Sequence, residues 1–181
     1  QIDGSDVVII TAGVAQKPGQ TRLDLVTENQ QIADDLANKI KPYVRSSVVV
    51  VVSNPVDVLT YMLAQRLQLA PGQVIGTGTM LDTARFRFHL SEFLHVHPRS
   101  IHAYVLGEHG DSSFPAISSS TVGGQPLEQF PNYSSAQVLE AYRKTKEAAG
   151  KIIAAKGATY YAIGVVITKL VRTILNDQRS V

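Results

Sequence analysis

The chain has 181 residues, of which 44% are hydrophobic and 18% charged, so it can bury a core and is not of the disordered class. Its net charge of +2 comes from scattered lysines and arginines, which argues against nucleic acid as a partner. The chain has no cysteine, which excludes disulfides and thiolate metal sites. It has no apolar run long enough to span a membrane and no visible leader. We therefore expect a cytoplasmic protein without a membrane partner.

The first half of the chain alternates short apolar runs with helical patterns. Five consecutive valines at residues 48–52 are typical of a strand covered on both faces in a parallel sheet. Apolar residues spaced by four within residues 25–44 indicate a helix. The alternation predicts a right-handed parallel α/β sheet. Its predicted elements are strands at residues 7–10, 48–52 and 74–77 and helices at residues 25–44, 58–69 and 81–93.

The pattern changes after residue 100. Residues 101–106 and 116–122 have the character of antiparallel strands, with a hairpin turn at Gly123-Gly124. A helical stretch follows over residues 135–175 and is interrupted near Gly157. We therefore expect half of an open α/β sheet in domain 1–96 and an α+β unit with antiparallel strands and long helices in domain 97–181.

Polar residues follow each of the three predicted parallel strands, at residues 11–22, 53–57 and 77–85. In open parallel sheets, ligands bind beyond the carboxyl ends of the strands. Arg22 follows a glycine- and proline-containing loop and could polarise a carbonyl, or it could be a solvated loop arginine. Asn54 could orient a carbonyl or hydroxyl group, or it could be a turn residue before proline.

His109 lies in a turn between two glycines and two acids, Gly107, Gly110, Glu108 and Asp111. Its ordinary pKa of about 6.5 suits an imidazole to give and take a proton near neutral pH. The alternative is a histidine in a polar surface turn. Pairs of histidines and serines elsewhere lack a third ligand or a nucleophile elbow, so we predict no metal site and no serine hydrolase.

Asp82 and Arg85 are three residues apart at the start of a predicted helix and project from one face. An aspartate facing an imidazole fixes its tautomer, and an arginine offers a planar fork for a carboxylate. The alternative is a surface ion pair worth about 0.3–0.5 kcal/mol. Arg87 lies about 200° around the helix from Arg85 and cannot serve the same site.

Together these segments resemble the L-lactate dehydrogenase branch of the lactate/malate dehydrogenase family, over essentially the whole chain. The resemblance rests on the order and spacing of motifs at residues 11–13, 16–25, 52–57, 76–85 and 106–112. It implies a Rossmann-type sheet, of which the second half is present, followed by a substrate domain. It also implies that the chain is an internal part of a longer enzyme, and that by itself it binds NAD poorly and turns over little.

The resemblance implies a role for each of these residues in NAD-dependent exchange of a hydride between L-lactate and pyruvate. His109 is the proton donor and acceptor, Asp82 holds it, Arg85 binds the substrate carboxylate, Arg22 polarises the ketone, and Asn54 bonds the same oxygen. Thr159 lines the substrate pocket. The residues that match neighbours of NAD are Gly13, Val14, Val52, Ser53, Asn54 and Thr77.

Gln16 separates substrates within the family. The malate-specific branch has arginine there, and a buried unpaired charge facing a methyl group is costly. We therefore expect pyruvate rather than oxaloacetate, with a lactate-like malate dehydrogenase or another 2-hydroxy acid dehydrogenase as the alternative. A second alternative, from another class, is a non-catalytic regulatory module that binds a sugar bisphosphate.

Arg87 and His102 match positions that bind fructose 1,6-bisphosphate at a subunit interface in many bacterial members of the family. A cationic pair suits a phosphate group. The alternative is an arginine and a histidine packed at a dimer surface without an effector. The resemblance also implies a homotetramer.

Overall fold

The computed structural model describes residues 2–14 and 26–179, which form two compact units. The first unit consists of two segments, one that ends at Gly78 and one that begins at Ile167. The second unit comprises Thr79–Val166. Within the described residues, no helix is both long enough and apolar enough to cross a bilayer.

The first unit contains a three-stranded parallel sheet in the order β1-β2-β3, formed by Val7–Ile10, Val48–Val51 and Val74–Gly76. Val7 is aligned with Val48, and Val49 with Val74. The central strand is the valine run, and three of its four residues are fully buried, as expected for a strand covered on both faces. Helices α1 (Val26–Ile40) and α2 (Val56–Leu67) complete its core.

The second unit contains helix α3 (Met80–Leu94), helix α4 (Ser135–Lys156) and three short antiparallel pairings. Strand β4 (Ile101–His102) pairs with β7 (Thr121–Val122), which continues into β8 (Gln125–Pro126); β5 (Val105–Leu106) pairs with β6 (Phe114–Pro115). One core holds these elements together, built from apolar residues of α3, the strands and α4. Gly157 ends α4 in the left-handed conformation, and α5 (Tyr161–Leu175) follows.

The predicted fold class is confirmed, with strands β1 to β3 parallel and the later strands antiparallel. Two details of the second unit differ from the sequence prediction. The predicted strand 101–106 is interrupted, because the Ala103 carbonyl accepts a bond from Arg87 and the Tyr104 carbonyl accepts one from the Ala116 N–H. The predicted strand 116–122 begins as a 3-10 turn, Ile117–Ser119, and the Gly123-Gly124 hairpin joins β7 to β8.

The division between the two units also lies elsewhere than the predicted boundary between residues 96 and 97. The structure divides the chain between Gly78 and Thr79, so the whole of α3 belongs to the second unit. The reason is the buried face of α3, because Phe86, Leu90 and Leu94 lie in the core that also contains Val138 and Ala141 of α4.

Candidate active site

A half-buried histidine–carboxylate pair lies in the second unit. The Nδ1 atom of His109 lies 2.6 Å from Oδ2 of Asp82, and their side chains are only 18% and 16% exposed. A carboxylate only accepts hydrogen bonds, so Nδ1 is the donor of this pair. The contact defines the tautomer of the imidazole and assigns Nε2 to any proton transfer.

The turn that carries His109 depends on the glycine that follows β5. Gly107 has φ of +88°, and a Cβ atom there would also lie 3.4 Å from the carbonyl oxygen of Ser112. The two serines after the histidine are structural: Ser112 donates to Glu108 Oε2 at 2.6 Å, and Ser113 donates to the Gly110 carbonyl at 2.9 Å.

Two threonines, Thr79 at the N-cap of α3 and Thr83 within it, hold β5 beside the helix that carries Asp82. Thr79 Oγ1 donates to the carbonyl of Val105 at 2.6 Å, and the Val105 N–H donates to Thr83 Oγ1 at 3.0 Å. Sequence reasoning missed both residues. The feature that could have revealed them is their spacing: Thr79 and Thr83 are four residues apart, so their hydroxyls lie on the same side of the helix start.

Arg85 lies one helical turn after Asp82. Its Nη2 atom is buried and has no hydrogen-bond partner among the described residues. Burial lowers the pKa of the Arg85 guanidinium, while the nearby Asp82 charge opposes this effect. A buried donor without an acceptor is costly, so this nitrogen is suited to receive an anionic ligand. A carboxylate has the two oxygens that a guanidinium can bind together.

In the first unit, a buried amide joins the loops that follow β1 and β2. Asn29 of α1 is 1% exposed; its Oδ1 accepts from the Val14 N–H at 2.6 Å, and its Nδ2 donates to the Asn54 carbonyl at 2.7 Å. Ser53 Oγ donates to the carbonyl of Ala12 at 2.7 Å. Asn29 was also missed from sequence, since a single polar residue on a helix has no distinctive pattern.

These loops contain an unpaired acceptor and a glycine with close neighbours. The side-chain oxygen Oδ1 of Asn54 is buried without a hydrogen-bond partner among the described residues. At Gly13, a Cβ atom would lie 3.0 Å from Asn29 Oδ1 and 3.3 Å from Ser53 Cβ. The backbone amides of Val52 and Thr77 bond the carbonyls of Ile10 and Val51, and continue the ladder beyond the strands.

The remaining predicted site residues are dispersed. Thr159 is half-buried between α4 and α5. Arg87 donates from Nε to the Ala103 carbonyl at 2.8 Å and lies 4.6 Å over the ring of Tyr104, while His102 is exposed on β4. Gln16 and Arg22 lie outside the described residues. Among the described residues, no three His, Cys, Asp or Glu side chains are grouped to hold a metal ion.

Comparison with protein families matches both parts of the chain. Residues 1–76 match the model of the lactate/malate dehydrogenase NAD binding domain, and residues 79–181 match that of the lactate/malate dehydrogenase alpha/beta C-terminal domain. The chain therefore belongs to the lactate/malate dehydrogenase family.

Curated relatives and solved structures agree with this assignment. The chain is 47% identical over 179 residues to an L-lactate dehydrogenase of Synechococcus sp. (strain JA-3-3Ab), covering 98% of this chain and 58% of that protein. The minor L-lactate dehydrogenase of Enterococcus mundtii has a TM-score of 0.91 at 45% identity, over 99% of this chain and 58% of that one. A malate dehydrogenase of Cryptosporidium parvum has the same TM-score at 35% identity, over 99% and 59%. The chain thus spans somewhat more than half the length of these relatives.

Proposed function

We propose that this chain carries the proton-transfer and carboxylate-binding residues of an NAD-dependent L-lactate dehydrogenase that interconverts pyruvate and L-lactate. The observation that carries the proposal is the 2.6 Å contact between His109 and Asp82 in a mostly buried setting. The unpartnered nitrogen of Arg85, one turn along the same helix, supports it. The names of the relatives supply the substrate.

His109 moves the proton in this proposal. During pyruvate reduction, Nε2 gives its proton to the C2 oxygen, and during lactate oxidation it takes that proton back. Asp82 accepts from Nδ1 throughout, so it holds the ring in one orientation and stabilises the imidazolium form. A low exposure of both side chains strengthens this interaction compared with a pair in water.

Arg85 binds the carboxylate of the substrate through two parallel hydrogen bonds, which fixes the direction of the adjacent C2 carbon. Arg22 and Asn54 are proposed to polarise and bond the C2 oxygen, and Thr159 to line the pocket. These four assignments follow from the family pattern. For Arg85 the buried, unpartnered nitrogen adds independent support.

The loops of the first unit fit a bound dinucleotide. The absence of a side chain at Gly13 lets the loop after β1 pack closely against Asn29 and Ser53, and Asn54 presents a buried oxygen with no partner among the described residues. When bound, NAD would supply or accept the hydride of the reaction. The residues proposed to hold it are Gly13, Val14, Val52, Ser53, Asn54 and Thr77.

A segment exchange tests the activity. The chain would replace the aligned stretch of the Synechococcus relative, and NADH oxidation with pyruvate would be followed by absorbance. We expect turnover that His109→Gln abolishes and Asp82→Asn lowers roughly 100-fold or more. Asp35→Asn, at an exposed pair with Lys39 on α1, is the control for loss of one carboxylate charge. A folded exchange protein without turnover, beside an active parent enzyme, contradicts the proposal.

The choice of pyruvate over oxaloacetate depends on Gln16, because the solved malate dehydrogenase matches the fold equally well. A neutral amide suits a methyl group, and an arginine suits a second carboxylate. In the same exchange protein, Gln16→Arg is expected to shift the ratio of kcat/KM values toward oxaloacetate. An unchanged ratio removes Gln16 as the determinant of specificity.

The proposal extends to regulation and assembly. Arg87 and His102 are proposed to bind fructose 1,6-bisphosphate, supported by the position of Arg87 beside Ala103, the neighbour of the exposed His102. Calorimetry would compare the unchanged chain with Arg87→Ala, and equal heats would remove the effector site. Assembly as a homotetramer is checked by sedimentation, and a cytoplasmic location by cell fractionation.

A further inference from the structure

We propose that Tyr142 on α4 is a positioning residue for His109: its hydroxyl holds the turn that carries the imidazole, so that α4 helps to set the distance between His109 and Asp82. The inference rests on the proposed role of His109 in proton transfer. It concerns how the second unit holds this residue, which the family pattern of motifs does not address.

The hydroxyl of Tyr142 bonds directly to the far side of the His109 turn. It donates to the main-chain carbonyl of Ser113 and also lies 2.9 Å from the Ser113 hydroxyl. Ser113 in turn donates to the carbonyl of Gly110 at 2.9 Å. A continuous set of hydrogen bonds therefore runs from α4 to the residue that follows the histidine.

The ring of Tyr142 contacts the helix that carries the carboxylate. Its centroid lies 6.2 Å from that of Phe86 in an edge-to-face arrangement, and Phe86 is fully buried. Phe86 comes four residues after Asp82 on α3, one helical turn away. Tyr142 thus touches both of the segments whose separation determines the 2.6 Å contact between His109 and Asp82.

A second residue of α4 holds the same turn. Lys146 comes four residues after Tyr142, on the same face of the helix, and its Nζ donates to the carbonyl of Asp111 at 2.9 Å. The ammonium group also lies 5.9 Å from the centroid of the Tyr142 ring. The turn is therefore attached to α4 at Asp111 and at Ser113.

The turn needs such an attachment because its stem is short. Strands β5 and β6 are aligned at only two positions, Val105 with Pro115 and Leu106 with Phe114. Beyond them the chain passes through Gly107 and Gly110, which lack side chains to pack. This two-residue pairing fixes only the base of the turn. The position of His109 therefore depends on contacts that the turn makes beyond the paired strands.

The test is an NMR measurement on the full 181-residue chain with ¹⁵N-labelled histidine. A Nδ1–H group bonded to a carboxylate gives a far-downfield proton signal, which His109→Gln would assign by its loss. Tyr142→Phe keeps the ring against Phe86 and removes only the hydroxyl. We expect this signal to move upfield and to exchange with water several-fold faster in Tyr142→Phe, with a smaller effect of the same sign in Lys146→Met.

Tyr133→Phe is the matched control, because Tyr133 packs against the same core and its hydroxyl makes no hydrogen bond to a described residue. It should leave the signal unchanged, whatever it does to thermal stability. A wild-type signal in Tyr142→Phe, or no downfield signal in the unchanged chain, overturns the proposal. Should Tyr142→Phe be unfolded, Lys146→Met decides by the same criterion. A failure of the proposed activity appears separately, as absent turnover in the exchange protein.

Discussion

The hydroxyl of Thr83 accepts a 3.0 Å hydrogen bond from the main-chain N–H of Val105. Thr83 follows Asp82 directly on α3, and Val105 begins the strand that leads to His109. Val105 is 1% exposed, so water cannot easily replace the threonine as its partner. This hydrogen bond joins the two segments that carry the histidine–carboxylate pair, independently of the contact between the two side chains.

Thr83→Val keeps the shape of the side chain and removes this acceptor. The buried Val105 N–H is then left without an acceptor. This loss should lower the free energy of unfolding by about 1–3 kcal/mol. Urea denaturation measures the change. Thr83→Ser retains the hydroxyl and should restore most of the loss, whereas Thr173→Val removes only an exposed bond to Gln178 and should change little. Equal losses in the valine and serine variants would argue for a packing effect alone.

Arg85→Lys tests the carboxylate site. Lysine keeps the positive charge and loses the planar pair of donors, so a substrate carboxylate would keep one charged hydrogen bond of two. A charged hydrogen bond contributes about 1.5–3 kcal/mol, which corresponds to a loss of roughly 10- to 100-fold in kcat/KM for pyruvate. Steady-state kinetics of the exchange protein measures it. Arg66→Lys, at an exposed pair with Asp34, should leave kcat/KM as it is.

Much of the fold was predictable because the sequence has strong periodic signals. A run of valines without polar alternation buries all its side chains only in a strand that is covered on both faces. The run does form the central strand of the sheet, with Val49 fully buried. The short antiparallel strands were harder to predict. Their pairings depend on single bonds from distant residues, such as Arg87 to the Ala103 carbonyl, which leave no period in the sequence.

The candidate site, like the fold, was predictable only in part. His109 was singled out by its glycine-flanked turn, and Asp82 by its spacing from Arg85, and the structure brings His109 and Asp82 into contact. The side chains that hold them, among them Thr83 and Tyr142, were missed. A hydroxyl on a helix is compatible with many roles, and only the folded chain shows which backbone group it meets.

Arg143 on α4 provides a prediction for pH dependence. Its guanidinium lies 2.6 Å from Glu140 and 2.5 Å from Glu147 on the exposed face of the helix. The hydrogen bond from Arg143 is the main cause that lowers the pKa of Glu140, while Lys151 and then Arg143 lower the pKa of Glu147. A lowered carboxyl pKa stabilises the fold above the unfolded value of about 4.3, and this contribution is lost as the pH falls through the lower folded value.

Arg143→Gln should therefore lower the melting temperature slightly at neutral pH. The difference from the unchanged chain should shrink as the pH is lowered into the range where both glutamates protonate, and it should shrink in high salt. Thermal melts at several pH values measure this. Arg172→Gln, at an exposed arginine of α5, is the control for loss of a positive charge. A difference that persists at the lowest pH would assign the effect of Arg143 to packing of its side chain.

Asn29 provides the sharpest test of how the first unit is built, because one amide serves two backbone groups with opposite requirements. The Val14 N–H needs an acceptor, and the Asn54 carbonyl needs a donor, and at 1% exposure water is excluded. Asn29→Leu removes both partners and should lower the free energy of unfolding by about 3 kcal/mol.

Asn29→Asp separates the two bonds. Near neutral pH the new carboxylate still accepts from Val14 but repels the carbonyl of Asn54, and burial disfavours its charge. Burial raises the pKa of such a carboxyl above its unfolded value, so the variant should be less stable than the unchanged chain at neutral pH and should approach it as acid protonates the group and restores a donor. Asn38→Asp, at an exposed position of the same helix, should show no such recovery. Urea denaturation at pH 7 and pH 5 measures this recovery. If Asn29→Asp lowers the free energy of unfolding equally at both pH values, the amide only fills space.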